Sequence, residues 1–350
     1  MVNNQKEMGP SLEGLTDKAQ QLRYALKRAI ENNPADALLL SGGIDSSILA
    51  ALSPKTPAIT TVIKGQGIDL RHAQIVTEYL GTPWYAVEIS QEQALEDIKE
   101  IISLTASYDP AIINDVPIYE GLKQAAYLSC HTVRTGSAAD ELFGGYTYLH
   151  SKAIDLQQYV KNLIPQIRLS ITPLARAMGL KLTYPYLYSE VLEIAQSLDR
   201  SDLIATREVG PGDYAQRFYP DWQESREWGK IVLRRAAYGL LPEQIIWRIK
   251  TDIEFGSGSD ILEDIIESSV TPKELDQMRR SGKRFWNRYH GKLYLIHKEL
   301  GFEPRKPTEQ EYTCTWCEGG VLLGRTHCPT CGAYPANEQV TSLFQKQYPE

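Results

Sequence analysis

The sequence predicts an α/β fold: a parallel sheet with flanking helices, a helical second half, and a small C-terminal unit built on cysteines. Three observations predict it. Short apolar runs alternate with amphipathic stretches over roughly the first 150 residues, helical spacing takes over from Ser151 to about Leu300, and four of the five cysteines crowd into Cys314–Cys331.

The elements follow in order. Leu12, Leu15, Ala19, Leu22, Leu26, Ala29 and Ile30 recur at three- and four-residue spacing, so Ser11 to Glu31 is expected to be an amphipathic helix ended by Pro34. Ala35 to Leu40 is a short apolar run leading through Ser41-Gly42-Gly43 into a helical stretch, Asp45 to Leu52. Ala58 to Ile63 and Trp84 to Ile89 read as strands. Leu70 to Leu80, Gln91 to Leu104 and Ile118 to Leu128 read as helices, followed by a strand at His131 to Thr135. Beyond Ser151 the clearest helices are Leu156 to Ile167, Tyr188 to Leu198, Lys230 to Tyr238 and Phe285 to Leu300. Phe302 to Thr308, with two prolines and two basic residues, reads as a linker. The expected organisation is therefore a main domain over about 12–302, with its α/β part at 12–150 and its helical part at 151–302, and a cysteine unit at 309–340.

Composition narrows the function classes. The chain has 350 residues, of which 42% are hydrophobic and 23% charged, enough for a large core and unlike a disordered or fibrous chain. No uninterrupted apolar run is long enough to span a membrane, and Met1-Val2-Asn3-Asn4-Gln5-Lys6 lacks the apolar core of a signal peptide, so a cytoplasmic protein is expected. The formal charge of −7 argues against indiscriminate binding to nucleic acid or anionic membrane.

Ser41-Gly42-Gly43-Ile44-Asp45-Ser46-Ser47 lies between a strand and a helix. Its glycines let backbone N–H groups converge, its hydroxyls and the helix N-terminus suit a polyphosphate, and Asp45 offers a metal carboxylate. It lacks the lysine of the common NTPase loop. The loop resembles the pyrophosphate-binding (PP) loop of adenylating ATP pyrophosphatases. Gly136-Ser137-Ala138-Ala139-Asp140-Glu141-Leu142-Phe143-Gly144-Gly145-Tyr146, Thr183 to Leu187, Lys230 to Arg234, Leu241-Pro242, Arg248-Ile249-Lys250 and Phe255 to Gly258 make residues 12 to 302 similar to the synthetase domain of asparagine synthetases.

The resemblance implies an adenine nucleotide alpha hydrolase-like fold and an AMP-forming ligase: a carboxylate attacks the α-phosphorus of ATP, pyrophosphate leaves, and a nitrogen nucleophile displaces AMP. It implies that Ser41, Gly42, Gly43, Asp45, Ser46 and Ser47 hold the pyrophosphate and that Asp45 and Asp140 position Mg²⁺. Leu40, Val62 and Ile63 would frame the adenine, Gly136 and Ser137 would border the nucleotide, and Lys250 and Lys230 would stabilise developing negative charge.

Two departures bear on the acyl acceptor. Where asparagine synthetases usually have Gly-Glu-Gly, placing a glutamate to help deprotonate the nitrogen, this chain has Gly136-Ser137-Ala138, and serine cannot act as a carboxylate base. The family's Pro-Phe-Leu-Asp is Pro185-Tyr186-Leu187-Tyr188, which also loses a carboxylate. Val2 follows Met1 and some eleven residues precede the first helix, so the glutaminase domain of the family's amidotransferases is not expected and ammonia or an amine is the expected donor. Cys130 could carry sulfur, but its position at a helix end favours a buried structural thiol.

Cys314-Thr315-Trp316-Cys317 and Cys328-Pro329-Thr330-Cys331 form two Cys-x2-Cys knuckles suited to a tetrahedral zinc ribbon, with Gly332 suiting a tight turn. A closed four-sulfur site is structural, and an iron–sulfur cluster is the minor alternative. His327 reads as a bystander. Four basic residues against six acids in the last fifty favour protein docking or domain bracing over nucleic acid. Arg279 to Lys298 points the other way: seven Lys or Arg, no acid, and Phe285, Trp286, Tyr289 and Tyr294 interleaved, a composition that suits either RNA or a core face beside solvated charge. Three functions follow. The leading one adenylates a small-molecule carboxylate for amide formation, the second modifies a nucleobase or tRNA by inserting nitrogen or sulfur, and the third is a non-catalytic nucleotide-binding subunit.

Overall fold

The computed structural model describes residues 17–167, 169–207 and 226–338. A five-stranded, wholly parallel sheet runs in the order β3-β2-β1-β4-β5, with β1 at Ala37–Leu39, β2 at Ala58–Ile63, β3 at Trp84–Ile89, β4 at Thr132–Arg134 and β5 at Lys181–Thr183. The chain winds outward from β1 through β2 to β3, then returns to place β4 on the other side of β1. That reversal opens a crevice at the carboxyl ends of β1 and β4, where parallel sheets bind ligands.

Helices α1 (Asp17–Asn32), α2 (Ile44–Leu52), α3 (Asp69–Leu80), α4 (Gln91–Thr105) and α5 (Ile112–Tyr127) cover the two faces. Helix α1 buries Ala19, Leu22, Ala25, Leu26, Ala29 and Ile30, the stripe its spacing predicts, while Leu12 and Leu15 lie outside the described residues. Helix α5 begins at Ile112 rather than Ile118. Pro117 lies inside it, where proline costs one intrahelical hydrogen bond but does not end the helix, because Ile112, Ile113, Val116 and Leu122 pack its face into the core. β5 is the other departure. It pairs with β4 through Leu182↔Val133, so the sheet reaches into the half expected to be helical and is not confined to residues 12–150.

The four-cysteine unit is not a separate bead on a linker. Strands Glu311–Thr313 and Gly320–Leu322 pair antiparallel around the first knuckle, and its four buried cysteines belong to one apolar cluster with Tyr108, Ile112, Tyr289 and Tyr294 of the main body. Tyr108 N–H donates to the Thr330 carbonyl at 2.7 Å and Ser107 Oγ to the Pro329 carbonyl at 2.9 Å. The helix Arg288–Glu299 supplies part of this seat. Tyr289 and Tyr294 are buried, Phe285 packs on Tyr294, and Trp286 lies against Trp316 of the first knuckle with ring centroids 4.7 Å apart. The aromatics between Arg279 and Lys298 are thus spent on packing, and only Trp286 among them is exposed. No described helix is long and apolar enough to cross a membrane.

Candidate active site

A cavity of about 1480 Å3 opens at the crevice. Leu40, Ser41, Gly43, Asp45 and Ser46 line it from the β1–α2 turn, and Gly136, Ser137 and Asp140 line it from the turn after β4. The sequence folds this way locally because Gly42 takes a left-handed backbone (φ 71°) and its missing Cβ leaves room for the backbone of His72 and Ala73, which a side chain would strike at 2.5 Å. Within the turn the Ser41 N–H and hydroxyl meet the Ser46 hydroxyl at 3.2 and 3.3 Å, and Gly43 N–H donates to Ser41 Oγ. Gly136 packs so closely that a Cβ there would sit 3.2 Å from the Ser46 nitrogen. The two motifs are in contact.

Asp45 in the first turn of α2 and Asp140 in the first turn of α6 (Ala139–Phe143) face one ammonium. Lys230 Nζ lies 2.5 Å from Asp45 Oδ2 and 2.8 Å from Asp140 Oδ1, and Lys230 is only 4% exposed. Lys230 is held in the left-handed region at φ 59°, a conformation that costs a lysine about 1–3 kcal/mol and persists only when the surroundings fix it. Its N–H donates to the Phe143 carbonyl at 3.0 Å, and its carbonyl starts the helix that carries Arg234. Burial pushes the Asp45 carboxyl up, with Asp140 adding to the rise and Lys230 opposing it. Asp140 is held down, because Lys230 and Lys250 together outweigh its burial. The Lys230 ammonium is opposed by burial, yet the two carboxylates raise its pKa, so it stays charged.

Lys250 borders the same cavity. Its Nζ is 2.5 Å from Asp252 Oδ1, 3.8 Å from Asp140 Oδ1 and 5.3 Å from the centre of the Tyr146 ring. Three residues that the sequence reading did not single out brace the site. Arg248 donates to the Ser41 carbonyl at 2.8 Å and pairs with Asp69 at 2.6 Å, and both side chains are buried. Tyr186 donates its hydroxyl to the Asp45 carbonyl at 2.8 Å. The signal for Arg248 was its place two residues before Lys250; Asp69 carried none.

Not every expected residue reaches the cavity. Val62 and Ile63 are 1% and 0% exposed and are absent from its lining, which at β2 consists of Ile59, Thr60 and Thr61. The reason is a lid over the end of β2: Ile68 N–H donates to the Gly256 carbonyl, and the backbone at Ser257 lies where a Cβ on Gly67 would fall. Gly42 and Ser47 also stand behind the lining. Ser137 lines it with its hydroxyl 2.8 Å from that of Thr135. Cys130 is half-buried, away from the cavity, and burial raises its thiol pKa.

Two cofactor sites can be tested on the residues present. Asp45 Oδ1 is buried without a hydrogen-bond partner, the orphan acceptor that Mg²⁺ would satisfy beside Asp140. The Sγ atoms of Cys314, Cys317, Cys328 and Cys331 lie within 4.8 Å of one another, with Cys314–Cys331 at 3.7 Å and Cys317–Cys328 at 3.6 Å. A zinc tetrahedron with Zn–S of about 2.3 Å has edges of about 3.8 Å. The set fits zinc. Gly332 turns behind it at φ 75°, and His327 Nε2 bonds Asp109 at 3.1 Å instead of joining the cluster.

The family model for asparagine synthase matches residues 18–178 and 173–288. The chain belongs to the asparagine synthase family. It is 24% identical over 335 residues to asparagine synthetase B [glutamine-hydrolyzing] of Escherichia coli K12, covering 86% of this chain and 56% of that protein. It is 28% identical over 258 residues to the asparagine synthetase of Brassica oleracea, covering 67% and 41%. The chain thus spans about half the length of the curated relatives it matches. Among solved structures it is similar to NMN synthetase from Francisella tularensis at 16% identity and a TM-score of 0.36, covering 84% of this chain and 99% of that one, too distant to bear on function.

One substitution tests the geometry within this family member. A Cβ on Gly145 would overlap Asp140 Oδ1 and fall 2.5 Å from Lys230 Cε. Gly145→Ala is expected to displace the Asp140–Lys230 pair, cutting ATP turnover at least tenfold and lowering stability by about 1–3 kcal/mol. Turnover within twofold of the parent would show that the pair need not be held this tightly.

Proposed function

We propose that this chain is an AMP-forming ligase that adenylates a small-molecule carboxylate and passes the acyl group to ammonia or an amine. The single observation that carries this reading is the buried Lys230 ammonium between Asp45 of the pyrophosphate loop and Asp140 of the second motif. Three charged groups are fixed where polyphosphate charge has to be matched, and little side-chain reorganisation is left for the reaction.

A substrate carboxylate oxygen attacks the α-phosphorus, the α–β bridge bond breaks, and its electron pair leaves on pyrophosphate. Backbone N–H groups of the Ser41–Ser46 turn and the Ser41 and Ser46 hydroxyls receive the pyrophosphate, held in place by Arg248 and Tyr186. Asp45 and Asp140 would hold Mg²⁺, which neutralises the leaving charge when bound. Lys250, at the cavity surface beside Asp140, is placed to stabilise charge on the α-phosphate. In the second half-reaction the nitrogen attacks the acyl carbon and AMP leaves. Position 137 offers a hydroxyl rather than a carboxylate, so the nucleophile's proton goes elsewhere: to solvent, or to a carboxylate of the chamber such as Asp115, which burial pushes up to about 7 and Ser170 partly offsets.

The test is product analysis: Mg-ATP with a defined pool of small carboxylic acids plus ammonia, and separately with bulk small RNA. AMP and pyrophosphate in equal amounts from the acid pool are expected. The same products only with RNA would overturn the metabolite reading in favour of RNA modification, and no products with either would leave a nucleotide-binding subunit.

A further inference from the structure

The chamber is larger than the roughly 300–1000 Å3 of an ordinary small-molecule site, and one of its walls comes from the four-cysteine unit. Arg325, His327 and Pro329, all between the two knuckles or at the start of the second, line the same cavity as Ser41 and Asp140. The wall is fixed from behind. Ser107 and Tyr108 bond the carbonyls of Pro329 and Thr330, and Gly332 lies against Asp109 so closely that a Cβ would stand 2.5 Å from its Oδ1. Asp109 in turn holds His327 at 3.1 Å.

The charges of the chamber divide between its ends. Lys230 faces Asp45 and Asp140, Arg248 faces Ser41 and Asp69, Lys250 faces Asp252, and Arg234 donates to backbone carbonyls. All four serve the end where the two motifs meet. At the ribbon end the lining acids are Asp109 and Asp115, the first already bonded to His327, and the guanidinium is that of Arg325.

We propose that the carboxylate substrate carries a second anionic group, distal to the reacting one, and that Arg325 of the four-cysteine unit binds it. The inference rests on the ligase reading above and adds the substrate class and the role of the cysteine unit: it is a wall of the substrate site and selects diacids. An arginine suits this task because its planar fork meets a carboxylate with two hydrogen bonds, and a lysine reproduces only the charge.

The experiment uses the full chain with Mg-ATP and ammonia, and measures AMP release with two matched series: malonate to adipate with L-aspartate and L-glutamate, against acetate to hexanoate with β-alanine and 4-aminobutyrate. The parent is expected to turn over a diacid and not its monoacid partner. Arg325→Met should raise KM for that diacid at least tenfold with kcat within threefold, Arg325→Lys should recover part of the loss, and both should bind α,β-methylene-ATP as the parent does. A parent that prefers monoacids, or an unchanged KM in Arg325→Met, overturns this inference and leaves the ligase reading standing. If the parent binds the analogue but releases no AMP with either series, the ligase reading fails and this inference falls with it.

Discussion

Lys230→Met is expected to abolish AMP formation, with a loss of at least a thousandfold, and to lower stability by about 3–5 kcal/mol, because it leaves two buried carboxylates facing each other without their common cation. The two losses have different origins, and a second substitution separates them. In Lys230→Met with Asp45→Asn one of the stranded charges is gone, so stability should recover by at least half while turnover stays absent. The measurement is denaturant unfolding beside product analysis. Full activity in the folded single variant would remove Lys230 from the reaction and leave it a structural cation. Recovery of activity in the double variant would mean that Lys230 served only to offset Asp45. The same cycle reports on pH. Asp45 has its carboxyl pushed up by burial, so protonation comes more easily in the folded state, and stability tied to this group falls as pH rises through that range unless Lys230 remains to pair with it.

Much of this site was legible in the sequence because glycine and charge carry local signals. Ser41 to Ser47 announces a strand–turn–helix, and the strands Ala58–Ile63 and Trp84–Ile89 fall where their apolar and β-branched runs place them. What escaped depends on tertiary contact. Lys181-Leu182-Thr183 is too short to show a period and is a strand only because β4 offers its edge. Helix α5 runs through Pro117, since the packing of one face outweighs a single missing hydrogen bond. Val62 and Ile63 sit at the end of the strand that leads to the crevice, but a segment nearly two hundred residues later covers them, and no local pattern encodes that cover. Asp69 is an ordinary helix-start acid until Arg248 arrives to pair with it. The cysteine unit shows the same limit: its ligand spacing was plain, but its place in the chamber wall was not, because Ser107 and Asp109 that seat it carry no motif.

The second large effect is expected from the metal. Zinc bound at Cys314, Cys317, Cys328 and Cys331 should amount to about one ion per chain, and Cys317→Ser with Cys328→Ser should release it. Structural zinc in isolated modules contributes about 10–16 kcal/mol of apparent binding energy at neutral pH, which there is folding energy. Here the cysteines are part of a cluster shared with Tyr108, Ile112, Tyr289 and Tyr294, so the loss should not stay local. Amide exchange is expected to quicken in residues 105–115 and 285–297 as well as in the unit itself, while Leu22, Leu26 and Ile48, in the other apolar cluster, keep their protection. Nucleotide binding at the Ser41–Ser46 turn should survive, because its supports, Arg248, Asp69 and Tyr186, lie outside the cysteine unit. Elemental analysis with hydrogen exchange checks both halves. A metal-free protein with unchanged protection over 105–115 would mean that the apolar contacts alone hold the wall in place, whereas loss of nucleotide binding together with zinc would tie the two ends of the chamber more closely than these contacts do.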